Sequence, residues 1–114
     1  MDRLLPGQKL DKGQSIQSSN GLYTLILQQD GNLVIYSQGK AIWASNTAGR
    51  AVSQAIMQTD GNFVIYGYPN AVWATGTNGW NNAYIVMQDD GNLVVYGFKA
   101  AWASGTNRVT YRSF

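Results

Sequence analysis

The chain has no cysteine and no histidine, and its six acidic residues are all aspartate, at positions 2, 11, 30, 60, 89 and 90. Without cysteine there is no disulfide framework and no thiolate zinc site. Without histidine or glutamate, the commonest general acids and bases are missing. A glycosidase needs two carboxyl groups about 5 to 9.5 Å apart. Here the motif aspartates recur one per repeat, in equivalent places that symmetry holds apart. Asp89 and Asp90 are adjacent, but neighbours on a strand point to opposite faces. A non-enzyme is expected, with no cofactor and no metal.

Charge is also scarce, at 12% of the 114 residues against about 25% in an ordinary soluble domain. The eight basic residues (Arg3, Lys9, Lys12, Lys40, Arg50, Lys99, Arg108, Arg112) are scattered and leave a net charge of only +2. They form no basic stripe, so no nucleic-acid partner is expected. No run approaches the roughly 18 apolar residues of a membrane span, so no membrane insertion is expected. The segment Met1 to Gly7 holds no apolar stretch of signal-peptide length. The expectation is a soluble chain, cytoplasmic or released without a Sec-type signal.

What the chain does have is a repeat. Gln28-Gln29-Asp30-Gly31-Asn32-Leu33-Val34-Ile35-Tyr36 recurs as Gln58-Thr59-Asp60-Gly61-Asn62-Phe63-Val64-Ile65-Tyr66 and as Gln88-Asp89-Asp90-Gly91-Asn92-Leu93-Val94-Val95-Tyr96. A threefold repeat in so short a chain determines the architecture. In the first copy, Leu22 to Gln28 is rich in β-formers and reads as a strand. Asp30-Gly31 is a turn signal, and Leu33 to Tyr36 is the return strand. After a second turn comes a short strand carrying Trp43, Trp73 or Trp102, closed by a small polar loop. No stretch has sustained helical periodicity, so the fold is all-β. We expect one domain over residues 1–114, with repeats at about 22–50, 52–80 and 82–106.

Leu33 and Ile35, with Phe63, Ile65, Leu93 and Val95, alternate against the motif face and should point inward. The three repeated tryptophans carry large burial energy and are expected in the core. Trp80 lies outside the pattern; it either stacks on a ligand or covers the end of the core.

Asn32, Val34 and Tyr36 share the opposite face of the return strand, with Gln28 ending the outgoing strand and Asp30 in the turn. A carboxylate, two amides, a phenol and one small apolar contact suit a sugar, whose vicinal hydroxyls each donate and accept. A phosphate would want arginine, lysine or backbone nests, and none recurs. Asp and Asn alone are explained by the turn; Gln and Tyr are not turn residues.

The pattern Gln-x-Asp-x-Asn-x-Val-x-Tyr, three times over and followed by Trp-Ala, resembles the monocot mannose-binding lectins, the snowdrop or bulb type. The resemblance runs from about Leu10 to Thr106. It implies the β-prism II fold, three four-stranded sheets around a pseudo-threefold axis. It also implies mannose roles for Gln28 (3-hydroxyl), Asp30 and Asn32 (axial 2-hydroxyl), Tyr36 (4-hydroxyl) and Val34 (carbon face). The same roles fall on Gln58, Asp60, Asn62, Val64 and Tyr66, and on Gln88, Asp90, Asn92, Val94 and Tyr96. Plant members usually carry a disulfide in the first motif region, where this chain has Gly31. The chain therefore resembles the cysteine-free relatives found outside flowering plants.

The function so implied is multivalent, non-catalytic recognition of α-mannosides and high-mannose glycans, and the alternative is a lectin-like antibacterial protein of the bacteriocin type. Residues 107–114 alternate like a strand with no partner of its own. By the resemblance such strands exchange between subunits, which implies a homodimer.

Overall fold

The computed structural model describes residues 1–68, 70–97 and 99–106. Among these residues, twelve strands form three four-stranded antiparallel sheets. The first repeat supplies β4 (Tyr23–Leu27), β5 (Leu33–Ser37) and β6 (Lys40–Ala44). The second supplies β7 (Val52–Met57), β8 (Phe63–Gly67) and β9 (Ala71–Ala74), and the third β10 (Tyr84–Met87), β11 (Leu93–Tyr96) and β12 (Ala100–Ala103).

Each repeat thus holds three strands, and the fourth comes from the N-terminal segment. That segment lends one short strand to each sheet in reverse order: β1 (Arg3–Leu4) to β10, β2 (Lys9–Asp11) to β7, and β3 (Ser15–Gln17) to β4. Leu4, Leu10 and Ile16, six residues apart, are 2%, 3% and 1% exposed, so each sheet receives one inward apolar residue from this segment. The turns between them have a common design. Gly7 and Gly13 take positive φ, and Gln8 and Gln14 accept a backbone N–H from three residues earlier.

The core lies between the inner sheet faces. Leu25, Leu27, Leu33, Ile35, Met57, Phe63, Ile65, Ile85, Met87, Leu93 and Val95 are fully enclosed. The predicted inward alternation of the return strands therefore holds. Trp43, Trp73 and Trp102 pack against this core and remain partly accessible. Their rings meet edge to face in a triangle, with centroids 5.6, 5.7 and 6.0 Å apart and interplanar angles of 72–83°. Edge-to-face contact sets the positive ring edge against the negative face, which adds to the burial itself.

A bulge brings the tryptophans there. Tyr36 pairs with Ala41 and Ile35 with Trp43, so Ile42 is the extra residue. The same skip occurs at Val72 and at Ala101. An inserted residue bends the strand and strengthens its twist. In each case the extra residue and the adjoining tryptophan both pack on the core. The third repeat's shorter spacing between Tyr96 and Trp102 falls in the hairpin turn, and the bulge is unchanged.

Trp80 also packs on the core. Its carbonyl lies under the second motif turn, where a Cβ on Gly61 would approach it to 2.2 Å. Its ring lies over Gly97, where an added Cβ would meet it at 2.7 Å. Trp80 thus covers part of the core and also lines a surface depression, so its ring is placed for both readings. A depression of about 340 Å³ beside it is lined by Gly79, Asn81, Asn82 and Gly97. The C-terminal segment 107–114 and its expected exchange lie outside the described residues.

Candidate functional site

Each motif is a hairpin whose turn is closed by its own side chains. In the second copy the Gln58 N–H donates to the Asn62 carbonyl and the Gly61 N–H to the Gln58 carbonyl, at 2.9 and 3.1 Å. Gly61 takes φ +95°, where an L side chain is strained. The Asp60 Oδ1 accepts the Asn62 N–H at 2.9 Å, and Asp30 and Asp90 do the same for Asn32 and Asn92. This Asx turn occupies one carboxylate oxygen. Among the described residues, Oδ2 of Asp30, Asp60 and Asp90 has no hydrogen-bond partner.

The asparagine amide is split between two tasks. Asn62 Oδ1 accepts the backbone N–H groups of Gly76 and Thr77 at 2.9 and 3.1 Å, and the Thr75 hydroxyl at 3.2 Å. Asn32 Oδ1 receives the Thr47 N–H and the Ser45 hydroxyl, and Asn92 Oδ1 those of Gly105, Thr106 and Ser104. Nδ2 of all three asparagines is left without a partner among the described residues. The oxygen holds the site together, and the nitrogen is available to a ligand.

Sequence reasoning passed over the residues that anchor this arrangement. Thr47, Thr77 and Thr106 each donate a hydroxyl to the carbonyl of the motif glycine, at 2.7, 2.6 and 2.6 Å. Each also bonds to Ser45, Thr75 or Ser104, two residues earlier. Those hydroxyls in turn accept the N–H of Leu33, Phe63 and Leu93. The visible signal was the recurrence of Ser or Thr, any residue, then Thr, in what read simply as a polar loop. The middle residue, Asn46, Gly76 or Gly105, takes positive φ.

Gln and Tyr are in direct contact in every copy. Gln28 and Gln58 donate Nε2 to the hydroxyls of Tyr36 and Tyr66. In the third copy the direction reverses: Tyr96 donates to Gln88 Oε1, and Gln88 Nε2 reaches Asp90 Oδ1 at 3.1 Å. Val34, Val64 and Val94 alternate onto the outer face of their strands and are only 2–3% exposed, so they are covered by the polar side chains around them. Beside the second copy, a depression of about 320 Å³ is lined by Gly7, Ile56, Gln58, Thr59 and Asp60. The N-terminal turn therefore makes one wall of that site. All fifteen predicted residues thus fall into three equivalent clusters, one on each sheet. Among the described residues no group of three or more metal-ligating side chains occurs. Each cluster offers a carboxylate acceptor, an amide donor and a phenol beside a small apolar side chain, which is a set for hydroxyl recognition.

A monomeric monocot mannose-binding lectin from Gastrodia elata is 46% identical, with a TM-score of 0.86 over 94% of this chain and 99% of that one. The chain belongs to the monocot mannose-binding, bulb-type lectin family. Its fold is accordingly the β-prism II of those lectins. The mannose-specific agglutinin of snowdrop, Galanthus nivalis, in complex with methyl-α-D-mannoside is 40% identical, with a TM-score of 0.78 over 94% of this chain and 98% of that one. A lectin from Mycobacterium smegmatis, described as a domain-swapped dimer, is 50% identical, with a TM-score of 0.59 over 91% and 99%. Similar lectins thus come from monocots and from a bacterium. The mannose-specific lectin of Narcissus pseudonarcissus is 46% identical over 46 residues, and the match spans 40% of its length. No family model matches the chain. Among the described residues, no helix is long and apolar enough to cross a membrane.

Proposed function

We propose that this lectin-family chain binds α-mannosides, as in high-mannose glycans, through its three Gln-x-Asp-x-Asn-x-Val-x-Tyr clusters, without catalysis. The observation that carries this reading is the division of labour at the asparagine. Its oxygen is consumed by the closing loop, while its Nδ2 and the neighbouring Asp Oδ2 have no protein partner among the described residues. A donor and an acceptor side by side match one hydroxyl that both accepts and donates. The snowdrop agglutinin, of known mannoside complex, supports the choice of sugar.

A shallow monosaccharide site binds at about millimolar strength. Useful affinity comes from several sites engaging one branched or clustered glycan. We further propose a homodimer by exchange of segment 107–114, which would present six sites; the swapped mycobacterial relative supports it, and the monomeric Gastrodia relative argues the other way. A light-scattering mass of one chain at tens of micromolar, with residues 107–114 retained, would refute the dimer.

The deciding experiment is calorimetric titration with methyl α-mannoside, with the glucoside and galactoside as controls. Heat with the mannoside alone, near three sites per chain, is the expected result. Replacing Asp30, Asp60 and Asp90 together by Asn keeps an oxygen for the Asx turn and removes the charged acceptor. Binding should vanish while the β-sheet circular dichroism stays. Full binding by that variant would refute the site assignment.

A further inference from the structure

Directly opposed residues of an antiparallel pair project to the same face. By register, Tyr36 is flanked by Thr24, Tyr66 by Gln54 and Tyr96 by Tyr84. Of the three motifs, the third alone has an aromatic neighbour there. The Tyr84 and Tyr96 rings are 6.0 Å apart, tilted by 32°. Arg3 on β1 opposes Val86, two residues from Tyr84, so it shares that face. Its guanidinium carbon lies 5.7 Å from the Tyr84 ring centroid.

The guanidinium is held in place. Nε and Nη2 donate to the two carboxylate oxygens of Asp2, at 2.8 and 3.0 Å. Nη1 has no hydrogen-bond partner among the described residues. The equivalent positions on β2 and β3 are Lys9 and Ser15, opposite Ile56 and Ile26. The Lys9 ammonium is engaged with Asp11 at 2.7 Å. The first two sites therefore lack both the ring and the planar cation.

We propose that Tyr96, Tyr84 and Arg3 form a second sugar subsite, continuous with the third motif, that holds the neighbouring residue of an α-mannosidic glycan. The inference rests on the mannoside reading given above. A pyranose presents a C–H face that packs on an aromatic ring, and hydroxyls around its rim that accept from a guanidinium N–H. The strand pairing and the Asp2 bond restrict both groups before any ligand arrives, so little side-chain entropy is lost on binding. The third site then prefers a disaccharide, whereas the first two read one residue.

The test is a site-resolved NMR titration of the full chain with methyl α-mannoside and with α1,2-, α1,3- and α1,6-linked mannobiose. Amides of Gly31 and Asn32, of Gly61 and Asn62, and of Gly91 and Asn92 report the three sites separately. At the third site at least one mannobiose should bind about fivefold more tightly than the monosaccharide. At the other sites the ratio should stay near the statistical factor of about two. Tyr84→Thr, which installs the first repeat's residue, should bring the third ratio down to that of the others with monosaccharide affinity unchanged. Arg3→Ser, the residue at the equivalent place on β3, is a second variant with the same expected outcome. Equal ratios at all three sites, or a ratio that survives both substitutions, would overturn the subsite while leaving the mannoside reading in place. Absence of shifts with every sugar would overturn both.

Discussion

Replacing Thr77 by Val keeps nearly the same volume and deletes one hydroxyl. That hydroxyl is 2.6 Å from the Gly61 carbonyl and 2.8 Å from the Thr75 hydroxyl, and the residue is only 4% exposed. The change removes two hydrogen bonds and leaves a buried carbonyl that water cannot easily reach. A lost bond costs about 1 kcal/mol, and an unsatisfied buried partner about 1–3 kcal/mol. The added apolar methyl offsets about 0.8 kcal/mol. The net expectation is a loss of about 2 kcal/mol. In urea, with a slope of about 2 kcal/mol/M for a small domain, the midpoint should fall by about 1 M at unchanged slope. Thr77→Ser keeps the hydroxyl and loses only the methyl, so it should cost less than half as much. The Asx bond to Asp60 and all three bonds to Asn62 Oδ1, two of them from backbone N–H groups and one from Thr75, survive in both variants, which should leave the sheet signature intact. If Thr77→Val unfolds within 0.2 M of the parent, or if Val and Ser behave alike, the hydroxyl staple does not anchor the motif turn.

Gly61→Ala places a Cβ 2.2 Å from the Trp80 carbonyl at φ +95°; it should cost more than about 3 kcal/mol or abolish folding, judged by urea denaturation. Gly79→Ala, at φ +101° with open space around its Cβ, should cost only the backbone strain of about 1–2 kcal/mol in the same assay. Trp73→Ala opens the edge-to-face triangle and should cost about 3–5 kcal/mol by chemical denaturation, with Trp73→Phe losing less. The Arg3 hydrogen bond, with Arg3's charge adding to it, holds the Asp2 carboxyl below its ordinary value of 3.8. A depressed carboxylate contributes stability above that value and loses it as pH falls through the lower folded value. Asp2→Asn should therefore flatten the acid limb of a stability–pH curve below about pH 4, an effect kept small by the exposure of the pair.

The hairpins were legible before folding because their information is local. Alternating β-branched and aromatic residues around Asp-Gly specify β4–β5, β7–β8 and β10–β11 with their registers. The period of the repeat indicated three equivalent units, and the side-chain period of two set Asn32, Val34 and Tyr36 on one face. The composition of each cluster followed from that alternation alone. The Ser/Thr-x-Thr staple was visible as a recurrence, but its targets, the Gly31, Gly61 and Gly91 carbonyls, lie about 15 residues away. Short polar residues near turns usually cap their own backbone, so local reasoning assigned them no distant partner.

Residues 3–17 show the limit more plainly. Leu4, Leu10 and Ile16 recur at intervals of six, but nothing in that spacing says that each belongs to a different sheet. Each three-stranded repeat leaves an edge with unpaired N–H and C=O groups, and which segment covers it is a matter of closing the whole prism. The pairing of Arg3 with Val86 follows from that closure. So does the meeting of Arg3 with Tyr84, and hence the difference between the third site and the other two. Local patterning thus wrote three copies of one polar cluster into the chain. Contacts over some 80 residues, which carry no short-range signature, made one copy unlike the others.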